Sequence, residues 1–404
     1  MLSRTLAPLA VALSIAGAAQ ADATAADVLS AEDVAAIQAQ RRSGAFDDAL
    51  MTLDDHPAVA SNDTSALALR GLVLLDSGRL GAARVIMSRH FRGSRVRIDS
   101  ITNTFMGRIR FERGELKKAV AAFKTALKSD AANDEAAFML GAAEALVDED
   151  PAAILALAES GAGKSLPKGL APAVTTNAAR TVGLKRAAAN LSDDGTWNLL
   201  EYVLEHEEAD ADLQLTCARV LHRRGESEAA DELLDDVAKN RPHRMQDVLF
   251  ERALAQSESG ESAAALETLD GAIRLGKEHI ELLKLASRLA IDEGKLDDAN
   301  RYLSLLEARW SSVEVDRLYA RYCFTKASRI EDAARAGDRI VLLRESEKRC
   351  IAAIKRDQFH VETLEKLLEV SDLLGERTKV TDRSEVERWL RIAKSIRAKK
   401  LANR

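Results

Sequence analysis

Catalysis needs acids, bases or nucleophiles that can converge, and no local motif of this chain brings them together. Seven histidines (56, 90, 206, 222, 243, 279 and 360) are scattered with no pair at helical spacing. His206-Glu207-Glu208 begins like the helix that holds zinc in metalloproteases, but no second histidine follows one turn later. The acidic run from Glu205 to Asp212 lacks the alternating oxygen-rich loop that calcium requires. Gly161-Ala162-Gly163-Lys164-Ser165 resembles the end of a phosphate loop, yet Ala158 stands where the leading glycine belongs and no strand precedes it. No serine is framed as Gly-x-Ser-x-Gly. These observations predict a protein that is not an enzyme and has no catalytic, cofactor-binding or metal-ligating residues. The three cysteines are Cys217, Cys323 and Cys350, with no CxxC among them. Cys323 and Cys350 fall in consecutive predicted helices and are a candidate disulfide in an oxidising compartment. The alternative is three buried thiols acting as small apolar residues.

Bulk composition narrows the class. The net charge of −6, with 30% charged residues, argues against a surface built for nucleic acid. Hydrophobic residues make up 47% but aromatics only 4%, so Ala, Leu, Val and Ile must fill the core, as in close-packed helices. Only six prolines interrupt the chain. Arg4, the apolar run Leu6 to Ala18, and Ala19-Gln20-Ala21 form a secretory signal over residues 1–21, with no cysteine at the cleavage point for lipid attachment. The expectation is a periplasmic or secreted chain with no transmembrane anchor after signal removal.

The elements that would position any site repeat. Gly44, Gly78, Gly114, Gly225, Gly260 and Gly294 are each followed five residues later by alanine, at 49, 83, 119, 230, 265 and 299. The glycines are 34 and 36 residues apart in the first run and 35 and 34 in the second. A small residue stands seven before the glycine at Gly71, Gly107, Ala218, Ala253 and Ser287. Asp148 takes the glycine place of a further unit, and Gly375 closes the last. Glycine supplies the left-handed turn that ends one helix, and the small residues let two helices approach closely.

In this pattern the chain resembles the tetratricopeptide repeat family over most of residues 30–380. Phe105, Gly107, Gly114, Leu116, Ala119, Phe123 and Ala126 carry the best single match. The resemblance implies an all-α, right-handed solenoid of about nine or ten antiparallel helix pairs. Residues 30–160 read as an N-terminal set of repeats and 161–207 as a Gly/Pro-containing break followed by an atypical pair. Central repeats follow over 208–310, atypical pairs over 311–380, and a capping helix with a basic tail over 381–404. The break near 161–170 reads as a hinge.

The resemblance also implies a groove lined by the first helix of each pair. In that register Arg108, Phe111, Phe138, Arg219, His222, Arg223, Phe250 and Arg288 face a protein or extended-peptide partner, with Glu365, Glu369 and Asp372 making the C-terminal end acidic. Arginine and aromatic side chains are common interface anchors. Arg89, Arg92, Arg95 and Arg97 form a basic cluster suited to an anionic polymer or membrane surface. The expected function is an exported scaffold in envelope assembly, secretion or surface-polymer export. The rival readings are an enzyme or enzyme-regulatory arm with a site assembled from distant residues, and a structural homo-oligomer at the cell surface.

Overall fold

The computed structural model describes residues 28–402 apart from 92–98, 163, 209, 277–278, 376–377, 379 and 381–382. The export signal over 1–21 and three of the clustered arginines, Arg92, Arg95 and Arg97, lie outside the described residues. Every regular element among the described residues is helical, with no strand.

The chain divides into two compact units, Met1–Asp210 and Ala211–Arg404. In the first, five helix pairs follow one another: α1 (Ala31–Ser43) with α2 (Phe46–Asp54), then, after a single-turn α3 (Pro57–Ala60), α4 (Thr64–Asp76) with α5 (Leu80–His90), α6 (Ser100–Glu112) with α7 (Leu116–Ser129), α8 (Asp134–Asp148) with α9 (Pro151–Ala162), and α10 (Leu170–Ala188) with α11 (Asp194–His206). The second holds α12 (Ala211–Arg224) with α13 (Ser227–Asn240), α14 (Met245–Glu258) with α15 (Ser262–Arg274), α16 (Ile280–Asp292) with α17 (Leu296–Arg309), α18 (Val313–Ser328) with α19 (Ala336–Arg356), and α20 (Val361–Leu374) with α21 (Arg383–Ala402).

First and second helices begin differently, and the sequence says why. Most first helices start from a side-chain cap: Asp63, Asp99, Asn133 and Ser312 each accept a hydrogen bond from the backbone three residues on. Second helices such as α5, α13 and α17 have no such cap, because they leave a tight glycine turn that satisfies the end of the helix before them. At Gly78 (φ +75°), Arg79 N–H donates to Leu74 O at 2.7 Å and Gly78 N–H to Leu75 O at 3.1 Å, which closes α4. In the fourth pair the left-handed residue is Glu149 (φ +52°), one position later than the Asp148 expected from the repeat register.

The recurring small residues sit in the packing. Ala49, Ala83, Ala119, Ala230, Ala265 and Ala299 are all 0% exposed. A Cβ at Gly107 of α6 would lie 2.4 Å from the ring of Phe123 in its partner α7. At Gly71 of α4 a Cβ would meet Phe105 of the next pair at the same 2.4 Å, so this position serves contacts both within and between pairs.

The Gly/Pro-rich segment is not where the units divide. Gly161 lies against Ala171 and Phe138, Lys168 N–H donates to Arg41 O at 3.2 Å, and the Lys168 stem covers Gly44. These contacts tie 161–170 back onto α1 inside the first unit. The boundary between compact units falls at Asp210 and Ala211.

Candidate partner interface

In the first unit the face expected to bind a partner is occupied by its own ion pairs. Arg41, in the last turn of α1, is 0% exposed. Its Nε donates to Asp76 of α4 at 2.7 Å and its Nη2 pairs with Glu135 of α8 at 2.9 Å. Arg108 of α6 reaches the same two carboxylates, at 2.5 Å to Asp76 and 3.0 Å to Glu135. Two arginines and two carboxylates thus tie the first helices of four successive pairs together. Burial opposes the charge on Arg108, but Asp76 and Glu135 outweigh it and hold the guanidinium more basic than usual. Burial likewise opposes ionisation of Asp76, and Arg108 and Arg41 outweigh it, holding that carboxyl below the ordinary range.

This closure corrects three expectations. Arg108, Phe111 and Phe138 are 6%, 9% and 2% exposed, so they are core rather than free groove residues. Phe111 and Phe138 pack with Ala119, Phe123 and Ala142. Beside the network remains a polar cleft of about 160 Å³, lined in part by Gln38, Arg42, Thr104, Glu135 and Ser165. Arg89 stands exposed in the last turn of α5.

The second unit keeps more of its first-helix face accessible, but much of its charge is also used internally. Arg219 of α12 is half-buried and grips Glu251 of α14 with two guanidinium nitrogens. Arg223 does the same to Glu258, its Nη2 at 3.0 Å. These arginines join successive pairs, as Arg108 does, instead of waiting for a ligand. Phe250 is partly buried against the core, its ring centroid 5.6 Å from that of His279. His222 lines a polar cleft of about 530 Å³ with Asp231, Asp235, Arg252 and Gln256, and its Nε2 is buried without a hydrogen-bond partner.

Arg288 of α16 differs. It stands six residues before Gly294, as Arg219 does before Gly225 and Arg108 before Gly114. In the two earlier repeats the arginine is paired to an acid of a neighbouring repeat. Arg288 is exposed and has no acidic partner among the described residues. The acidic end expected at α20 is neutralised from two sides: from the cap α21, Lys394 pairs with Glu365 at 2.7 Å and Arg383 with Asp372, while within α20 Lys366 pairs with Glu369 at 2.7 Å. That pairing also takes up part of the basic stripe of α21.

All three cysteines are buried, and the expected bridge between Cys323 and Cys350 is absent. Burial pushes the Cys323 thiol up to about 11 and that of Cys350 up to about 12, which keeps both protonated and unreactive at neutral pH. His206, the start of the false zinc motif, stacks on Tyr202, while Glu207 pairs with Arg180 at 2.9 Å.

Sequence reasoning did not find Arg41, Asp76 or Glu135. They carry no shared motif, and only the stacking of successive pairs brings them within reach of one another.

Paired helices, left-handed turn residues between them and fully buried alanines at a fixed offset all recur. The fold is that of tetratricopeptide repeats. No protein-family model matches the chain, and neither does any curated protein. Among solved structures, that of the Pseudomonas aeruginosa pilF study aligns over 67% of this chain and 97% of its own, at 15% identity and TM-score 0.34. The tetratricopeptide domain of P58(IPK) aligns over 91% and 98%, at 16% identity and TM-score 0.27. The APC/C Cut9–Hcn1 assembly aligns over 89% and 71%, at 13% identity and TM-score 0.35. All three scores are low, and the assignment of a tetratricopeptide fold rests on the chain's own repeats. No helix among the described residues is long and apolar enough to cross a membrane.

Proposed function

We propose that this chain is an exported scaffold whose second tetratricopeptide unit holds another protein or an extended peptide. The observation that carries the reading is Arg288: it keeps the register in which arginine joins one repeat to the next, yet it is exposed and its charge is uncommitted. An arginine on a repeat face is suited to clamp a partner's carboxylate through two parallel hydrogen bonds. The first unit, whose Arg41 and Arg108 are consumed internally, then contributes structure and not the binding charge. The export half of the reading rests on residues 1–21. Envelope assembly, secretion or surface-polymer export is the setting in which such a scaffold would act.

Two experiments test this. Affinity capture from envelope extracts with the wild-type chain and with Arg288→Glu should recover the same partner about tenfold less well with the variant. Because Arg288 is exposed and makes no ion pair among the described residues, the variant should unfold at the wild-type temperature. Equal recovery of every captured protein by the two chains defeats the assignment of this face. For export, the protein from a cell-envelope fraction should begin at Asp22; an intact N-terminus found only in the cytosol removes that half.

A further inference from the structure

A cleft of about 520 Å³ opens in the second unit where α18, α19 and α20 meet. This volume falls within the range of about 300–1,000 Å³ typical of small-molecule sites. Its surface is mostly apolar, with Leu318, Ala320 and Cys350 among its lining residues. Three cations, Arg317, Arg321 and Lys366, also line it. Its two acids are both drawn to bases from outside the cleft: Glu314 to Lys284 at 2.6 Å, and Glu362 to Arg397 at 2.7 Å.

Arg317 is the informative residue. Its Nη2 donates to Asp357 at 2.5 Å, but its Nε is buried with no hydrogen-bond partner. A buried N–H without an acceptor is unfavourable until an oxygen reaches it. The neighbouring His360 presents Nδ1 to Thr363, at 2.8 Å from the hydroxyl and 3.3 Å from the amide, and its Nε2 lies 3.3 Å from Glu362. Its pKa is lowered by burial first and by the charge of Arg317 second, against the opposing pull of Glu362 and Asp357, so the neutral form of the ring is favoured.

We propose that this cleft binds a small amphipathic carboxylate, with its apolar body against Leu318, Ala320 and Cys350 and a carboxylate oxygen accepting from Arg317 Nε. The three lining cations, like the two carboxylates, each already have a partner, Arg317 in Asp357, Arg321 in Asp292 and Lys366 in Glu369, so an anion is favoured over a neutral polar head because the unanswered Nε–H belongs to a guanidinium. An apolar body is favoured over a sugar or nucleotide because the surface offers few polar groups to satisfy hydroxyls. This reading does not depend on a protein partner at Arg288.

The test is calorimetric titration of the full chain with sodium octanoate, octanol and octylammonium. Octanoate should bind with one-to-one stoichiometry, octanol about tenfold more weakly and octylammonium not measurably. Arg317→Gln should reduce octanoate to the octanol level while leaving octanol unchanged. Arg317→Lys, which keeps the cation near Asp357 but has no Nε–H, should fall between. Leu318→Trp, which fills the cleft, should abolish both ligands, with thermal unfolding confirming that each variant is folded. Equal affinity for octanoate and octylammonium overturns the proposal. So does octanoate binding that survives unchanged in folded Arg317→Gln or Leu318→Trp protein, because the ligand would then sit elsewhere.

Discussion

Asp76→Asn should lower the stability of the first unit by about 3–5 kcal/mol, the usual cost of removing one partner from a buried ion pair. The Asp76 carboxylate lies between Arg41, which is 0% exposed, and Arg108, which is 6% exposed. The neutral amide removes one of two negative charges and leaves both guanidiniums facing Glu135 alone. Neither arginine can discard its proton, and neither can reach bulk water without opening the network that joins α1, α4, α6 and α8. Urea unfolding followed by hydrogen exchange should show the loss concentrated in residues 31–148, whereas Asp47→Ala, which removes an exposed pair with Arg79, should change little. A wild-type midpoint for Asp76→Asn would mean that the four-residue network does not hold the first unit closed.

The same carboxyl sets an acid limit. Its folded pKa is depressed by Arg108 and Arg41 against the opposing effect of burial. A depressed carboxyl stabilises the fold fully above its unfolded value of about 3.9, and that contribution is lost as pH falls towards the folded value. The first unit should therefore weaken below about pH 4, and Asp76→Asn should flatten that slope. Asn at this position with an unchanged acid profile would assign the slope to other carboxylates.

Gly107→Ala carries the second large effect. Alanine is the better helix former, by about 1 kcal/mol. Here its methyl would lie 2.4, 2.7 and 2.8 Å from three ring atoms of Phe123, a side chain that is 0% exposed. The ring has nowhere to move, so overpacking of about 1–3 kcal/mol outweighs the helical gain. Gly271 of α15 is the control: nothing lies within 4 Å of a Cβ there, so Gly271→Ala should stabilise. Phe123→Leu should recover part of the Gly107→Ala loss by vacating the ring's space. If both glycine variants move the melting temperature in the same direction, close helix approach is not what selects glycine at 107.

Much of the fold was legible because the sequence constraint is local. A left-handed backbone wants glycine, and Gly44, Gly78, Gly114, Gly225, Gly260 and Gly294 all adopt it. Where glycine was missing the register slipped by one, to Glu149, because a non-glycine left-handed residue can be absorbed at more than one place in the turn. The alanines five residues after these six glycines are all buried because the crossing of two helices there leaves room only for a methyl group.

The binding face was not legible in the same way. Arginine at the sixth position before a turn glycine reads identically at 108, 219 and 288. Its role depends on whether an acid from another repeat arrives within 3 Å, a question of helix placement across about thirty residues and not of local type. The sequence by itself determined the helix pairs, their turns and their small-residue seams, since these follow from backbone strain and side-chain volume within one repeat. Only the tertiary structure decided that Arg108, Phe111 and Phe138 are interior, that Cys323 and Cys350 stay apart as thiols, and that Arg317 keeps a buried donor unanswered, because each depends on which neighbour stacking brings close.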